Sequence, residues 1–449
     1  MGAAVGAAVD EVSVRLARRV PGGRVTALAG LVAAGLAGRR WAARRERTPG
    51  VDGVETAALI VLAGAGAEPG VQALRRAPRL LRLVLSARTS RLLLGAAAEA
   101  VSLQRRLAEP QDLVKAAVAY DYLPTVSVGD GSAVPLSTLD REGRKFLGLA
   151  VPAARIEEVG EKGARDPVRV FVGLETAPDP AARAQMAVAE LDRLGAFERS
   201  RILVACPTGS GFVHPVPVEA EEYMSGGDIA TVAIQYGNQR SYRSLRSVPQ
   251  GILTCRLLLD AVVERLRRGP GPELLLYGES LGAWVAAGAL AEARVTPARV
   301  LLVGPPHGAA RLVEELRRTV GVDEGRLTVV VHPEDPVANY SGSALLWRRP
   351  GWLPAGESAD PRIPRGLRWI PGITFLQVMF DVKNGTSFPV ELGATGHDYR
   401  RELPAIVRVA LGHADVSLES LRAVEERVQE SVRVQAARER AGSGRRTSP

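Results

Sequence analysis

Cysteine is nearly absent. The 449-residue chain has two, Cys206 and Cys255. That count provides no disulfide framework and fits a reducing, cytoplasmic compartment. Cys206 ends an apolar run and reads as a small core residue. Aromatics are scarce at 4%, so the basic residues are not interleaved with the stacking platforms that single-stranded nucleic acid needs. Histidine occurs five times, at His214, His307, His332, His397 and His413, which leaves few candidates for imidazole chemistry. Long apolar runs are also missing. Residues 25–38 are uncharged for 14 positions and residues 56–67 for 12. Both fall short of the ~20 needed to cross a bilayer. Residues 1–10 lack the basic start of a secretory signal.

What is present is a globular composition, 46% hydrophobic, with a net charge of +9. The excess charge gathers near the two ends, at Arg39, Arg40, Arg44, Arg45 and Arg47, then at Arg75 to Arg91, and again at Arg438 to Arg446. No reading motif accompanies it, so nucleic acid is not an expected partner. The length predicts more than one domain. Residues 1–125 read as helical. Within 80–107, Leu81, Val84, Leu85 and Leu92 fall among Arg79, Arg82, Arg88 and Arg91 in a basic amphipathic pattern. Two readings stand for this region: a helical bundle packed on itself, and a segment in contact with a membrane surface.

Residues 126–164 read as a connector. From 165 to 415 short apolar runs alternate with helical stretches. Strands are expected at 168–172, 201–206, 229–236, 273–277, 299–303 and 327–332. Helices are expected at 138–149, 180–194, 249–268, 281–293 and 309–320. Continuous hydrophobic strands separated by amphipathic helices give a parallel sheet covered on both faces. An insertion at 341–395 carries Trp347, Trp352 and Trp369; a lid over a pocket and a piece of core both suit it. A charged helix and a Gly/Ser/Arg-rich tail fill 416–449.

One turn in this pattern carries chemistry. Gly278-Glu-Ser-Leu-Gly282 fits G-x-S-x-G, with an apolar strand before it and a small-residue helix after it. In that context the serine sits on a tight turn above the sheet edge, as in an α/β-hydrolase fold, and Ser280 is the expected nucleophile. The Leu281 N–H, at a helix start, is the expected first oxyanion donor. The second belongs to a loop after an earlier strand. Thr208, Gly209 and Ser210 fit, with Gly173 and Leu174 as the fallback.

A serine hydroxyl needs a base, and the base needs an acid to orient it. The order serine, acid, histidine excludes His214. Glu334-Asp-Pro336 directly follows the last strand, so Asp335 is the expected acid, with Glu334 beside it as the alternative. His397, in Thr395-Gly-His-Asp-Tyr399, is the preferred base over His413. His332 reads as structural. Tyr236, Glu279, His307 and Trp347 are expected to line the substrate site. No His/Cys/carboxylate cluster has metal-ligand spacing, so neither a metal nor a cofactor is implied.

Several segments carry a resemblance: Asp166-Pro-Val-Arg-Val-Phe-Val-Gly-Leu174, Pro207-Thr-Gly-Ser-Gly211, Ser225-Gly-Gly-Asp228 through Tyr236, Tyr277-Gly-Glu-Ser-Leu-Gly282, Val303-Gly-Pro-Pro306, His332-Pro-Glu-Asp-Pro-Val337, Arg348-Arg-Pro-Gly-Trp-Leu353 and Gly396-His-Asp-Tyr399. Taken in order, the stretch 139–409 resembles a family of actinobacterial α/β-hydrolases with an N-terminal helical membrane domain. The resemblance implies a triad of Ser280, Asp335 and His397 and names a chemistry rather than a substrate. It strengthens the membrane-surface reading of residues 1–125, although relatives carry longer apolar helices there. The expected activity is a serine hydrolase acting on a small-molecule ester or related acyl compound. An acyltransferase or cyclase with the same triad, and a non-catalytic binding protein on the same fold, are the alternatives.

Overall fold

The computed structural model describes residues 119–444, except 161, 239–243, 294, 321–324, 334 and 340–395. Residues 1–118, the Trp-bearing insertion with Trp347, and Glu334 therefore lie outside the described residues, while 119–125, expected as the end of a helical region, are non-helical chain and turn.

Six strands form one sheet: β1 (Val168–Val172), β2 (Arg201–Cys206), β3 (Ile229–Ile234), β4 (Glu273–Glu279), β5 (Arg299–Val303) and β6 (Leu327–Val330). Their order is β1-β3-β2-β4-β5-β6 and every pairing is parallel. Their Val/Ile/Leu runs bury nearly every position because helices cover both faces. Each β-to-β step crosses through a helix, as parallel pairing requires.

On one face lie α3 (Pro180–Arg193), α5 (Val248–Leu266), α6 (Leu281–Glu292) and α7 (Ala310–Thr319), packed in that order. The other face carries α1 (Arg141–Gly148), α4 (Pro215–Met224), α9 (Leu403–Ala410) and α10 (Leu418–Gly444). Two short helices, α2 (Ala153–Glu157) and α8 (Pro336–Asn339), precede β1 and follow β6.

Local chemistry starts these helices where the sequence turns. Asp140 accepts from the Glu142 and Gly143 N–H groups to cap α1, and Asp179 caps α3 ahead of Pro180. Helix α6 is Ala/Gly-rich and buried on nearly all sides, because it is wedged between the sheet and α5. Gly288 lets Ile252 of α5 approach it closely.

The connector 126–164 and helix α10 are part of this body. Val126 bridges to Arg169 of β1, and Phe146 and Leu147 of α1 are buried in the common core. Leu421, Val424 and Val428 turn inward from α10. Among the described residues no helix is long and apolar enough to cross a membrane.

Candidate active site

Strand β4 ends at Glu279, and Ser280 follows with φ 55° and ψ −123°. It is the single non-glycine residue with positive φ among the described residues. An L-residue adopts this conformation at a cost of ~1–3 kcal/mol, so the surroundings must enforce it. They do so from both sides. The Ser280 N–H donates to the Val303 carbonyl at 2.8 Å. A Cβ at Gly278 would collide with the Gly282 carbonyl oxygen, and one at Gly282 with that of Cys206. The two glycines thus allow the strand, the turn and the neighbouring loop to touch.

The loop after β6 and the loop before α9 bring two further groups to this turn. His397 Nε2 lies 2.9 Å from Ser280 Oγ. His397 Nδ1 lies 2.8 Å from Asp335 Oδ2. A carboxylate only accepts, so Nδ1 carries the proton and Nε2 is left to accept from the serine hydroxyl. Asp335 is completely buried, and its other oxygen accepts from the Val337 and Ala338 N–H groups at the start of α8. Those donors stabilise the ionised carboxylate in a place where burial alone would oppose it.

Two residues that sequence reasoning passed over hold this arrangement. Tyr399 donates its hydroxyl to Asp335 Oδ2 at 2.6 Å. Its pKa is pushed up, first by burial and then by the Asp335 charge, so it stays a donor. Gly304 has φ 53°, and a Cβ there would lie 2.8 Å from the Tyr399 ring, 3.0 Å from His397 and 3.2 Å from Asp335. The signal for Gly304 was its place directly after a buried strand, in Gly-Pro-Pro. Beyond the histidine, Arg400 forks onto Asp398 at 2.9 and 2.7 Å, both buried, and pins the loop.

The expected oxyanion donors divide. The Leu281 N–H has no acceptor among the described residues and opens α6, where the helix dipole favours negative charge. Thr208 is corrected: its N–H donates to the Phe212 carbonyl at 2.9 Å and is not available. The N–H groups of Gly209 and Ser210 have no acceptor among the described residues. In the fallback loop, the Leu174 N–H is engaged by Gln235 Oε1 at 3.2 Å. Gln235 is nearly fully buried, and its Nε2 reaches Asp140 Oδ2, the Gly237 carbonyl and the Ser210 carbonyl at 2.6, 2.8 and 3.3 Å. One amide side chain therefore fixes the loops after β1, β2 and β3.

The expected lining residues fare differently. The Tyr236 ring packs against Gly251 of α5, in a small cavity shared with Cys206, Cys255 and Val285. It faces the helix layer behind the turn, which corrects its placement in the substrate site. The Glu279 carboxylate is buried and accepts the Tyr277 hydroxyl at 2.6 Å, so an internal partner occupies it. His307 is exposed, at the first turn after β5. His413 is not near the serine: its Nε2 sits 2.9 Å from Glu221 and 3.0 Å from Arg201, the first residue of β2, at the opposite edge of the sheet. His332 stacks on Tyr399 with ring centroids 4.0 Å apart. No group of three or more metal-binding side chains occurs among the described residues.

A strained serine at a strand-to-helix turn, a histidine on its hydroxyl and a carboxylate behind the histidine have one further correlate. A model of an alpha/beta-hydrolase family matches residues 168–323 and 309–423, more than half of the chain. The chain belongs to this alpha/beta-hydrolase family. Neither a curated protein nor a solved structure matches it. The family match begins with β1 and ends within α10, so it covers the whole sheet and all three residues gathered at the turn.

Proposed function

We propose that this alpha/beta-hydrolase family member is a serine hydrolase that cleaves an ester or related acyl substrate through an acyl-enzyme. The observation that carries the reading is His397, which bridges Ser280 Oγ and Asp335 Oδ2 at 2.9 and 2.8 Å through its two different nitrogens. Ser280 attacks the acyl carbonyl while its proton passes to His397 Nε2. Asp335 stabilises the imidazolium that results. The developing oxyanion is met by the Leu281 N–H and by one from Gly209 or Ser210. Collapse expels the alcohol, which takes the proton from His397. Water then attacks the acyl-enzyme by the same route and regenerates the serine.

Activity against acyl esters of graded chain length, measured for the wild type and Ser280→Ala, tests this. Equal rates in both proteins would remove Ser280 from the mechanism.

The same proposal places residues 1–125 in contact with an anionic membrane surface, supported by the interleaved arginines and apolar residues of 80–107. The full chain is expected to sediment with anionic vesicles at low salt and to leave them at high salt. Absence of sedimentation at low salt would refute this part.

A further inference from the structure

Asp335 Oδ2 is shared by two donors. His397 Nδ1 approaches it at 2.8 Å and the Tyr399 hydroxyl at 2.6 Å. We propose that Tyr399 is a positioning residue that sets how strongly Asp335 draws on His397, and hence the pH at which Ser280 becomes nucleophilic. This deepens the serine-hydrolase reading and rests on it.

The hydroxyl is held in place independently of the carboxylate. Its oxygen accepts the His332 N–H at 3.1 Å, and its ring stacks on the His332 ring at 28° between planes. His332 in turn has Nδ1 3.1 Å from the Gly396 carbonyl and Nε2 2.9 Å from Glu402. The end of β6 and the histidine-bearing loop are thereby clamped together, with Tyr399 completely buried between them. The hydroxyl thus meets the same carboxylate oxygen that faces His397.

The physical consequence has a definite sign. A donor on a carboxylate spreads its negative charge and leaves less of it for the imidazolium. Without that donor, the charge on Oδ2 favours protonated His397 more strongly. The base is then neutral, and able to take the serine proton, only at higher pH. Among the described residues, the other charged or titratable groups around this pair are Glu279 from the end of β4, His332 from the end of β6, and Asp398, Arg400 and Glu402 from the histidine's own loop. Of these, His332 accepts the Asp335 backbone N–H at 3.0 Å, through its carbonyl and not its ring, and Arg400 forks onto Asp398.

The test needs no natural substrate. A fluorophosphonate probe phosphonylates an activated serine with loss of fluoride, so its rate on the full chain, followed against pH, reports the fraction of neutral base. Tyr399→Phe keeps the ring and removes the donor. It is expected to move the midpoint of the pH dependence up by about half a unit to one unit, slowing labelling about 3- to 10-fold on the acid limb. 3-Fluorotyrosine at position 399, a stronger donor, is expected to move the midpoint down. A folded Tyr399→Phe protein with an unmoved midpoint overturns the proposal. If that variant does not fold, the fluorinated protein decides, and a midpoint that stays or rises overturns it. A wild type that does not label at any pH removes the serine-hydrolase reading and this proposal with it. Labelling with an unmoved midpoint removes this proposal alone.

Discussion

Two buried histidine–carboxylate pairs stand at opposite edges of the sheet. His397 and Asp335 meet at 2.8 Å at the carboxyl ends of the strands, and His413 and Glu221 at 2.9 Å at the amino ends. Both imidazoles are almost fully buried. The pairs differ in what else the ring touches. His397 uses its second nitrogen for the Ser280 hydroxyl. His413 sets Glu221 and the Arg201 guanidinium around one and the same nitrogen. A guanidinium does not give up a proton in a protein, so this second constellation can relay nothing. It ties the segment after α9 to β2, with Arg201 also donating to the Leu411 carbonyl at 2.7 Å. A histidine beside a carboxylate is therefore no sign of chemistry by itself. The hydroxyl on the far nitrogen, and the strand end that presents it, make the distinction.

Mutation should separate the two pairs by orders of magnitude. Ser280→Ala and His397→Ala are each expected to lower ester hydrolysis at least ~10⁴-fold, and the double variant little further, because the residues act as one unit. His413→Ala is expected to keep activity per folded molecule within about 3-fold and to lower stability by ~1–3 kcal/mol in urea. A loss of activity in His413→Ala as large as that in His397→Ala would end the contrast. Asp335→Asn sharpens it. The asparagine side chain can still fill the space, yet its amide favours the tautomer with the proton on the wrong nitrogen. A ~10²–10⁴-fold fall in the maximal rate is expected, with little change in stability.

Much of the C-terminal edge was legible in the sequence, and little of the amino edge. All six strands were readable because continuous Val/Ile/Leu runs bounded by turns have few other fates, and the observed ends fall within two residues at most positions, with β3 and β6 ending two residues earlier than expected. The Ser280 turn was readable because its glycines answer to contacts within one strand–turn–helix. Helix α4 was not anticipated. Its start carries two prolines and its body three glutamates, with no apolar stripe to mark a helix, yet Glu219, Glu221 and Glu222 are all buried. Their partners are remote along the chain. Arg169 of β1 forks onto Glu222 at 2.6 and 2.8 Å, Arg201 of β2 reaches Glu221 at 2.9 Å, and Ser431 of α10 donates to Glu219 at 3.0 Å. Tyr399 and Gln235 escaped for the same reason. Their roles are defined by groups 64 and 95 positions away, which no local pattern encodes.

Those three glutamates offer a weaker but cleaner effect. Glu221 and Glu222 have cations beside them, while Glu219 has a hydroxyl, and burial raises its pKa to about 7. The folded state thus holds this proton to a higher pH than the unfolded chain does. Its contribution is complete below the ordinary carboxylate range near pH 4.5 and is lost as pH rises toward 7. A fall in stability on the order of 1–3 kcal/mol across that window is expected from this group. Glu219→Gln, which keeps the shape and cannot ionise, should flatten the slope and leave the rate of ester hydrolysis unchanged. A slope identical in both proteins would show that Glu219 is not held neutral.

The smallest effect concerns the backbone beneath the nucleophile. Among the described residues, the amino edge has no counterpart to Ser280, whose φ of 55° and ψ of −123° are foreign to L-residues. Ser280→Ala and Ser280→Gly lose the same hydrogen bond to His397, so the difference between them isolates the turn. Glycine reaches this conformation without a Cβ clash but gives up more freedom on folding, which offsets part of the gain. Ser280→Gly is therefore expected to be about 0.5–1.5 kcal/mol more stable than Ser280→Ala by urea denaturation, and equally inactive. Ser280→Gly less stable than Ser280→Ala, by the ~0.4–1 kcal/mol that glycine's chain entropy alone costs, would mean that the turn carries no strain and that the neighbouring Val303 and Gly282 contacts merely accompany the conformation. A clear advantage for glycine would mean that those contacts hold the serine in a conformation it would otherwise leave, an opposition between stability and function that His413 and Glu221 do not face.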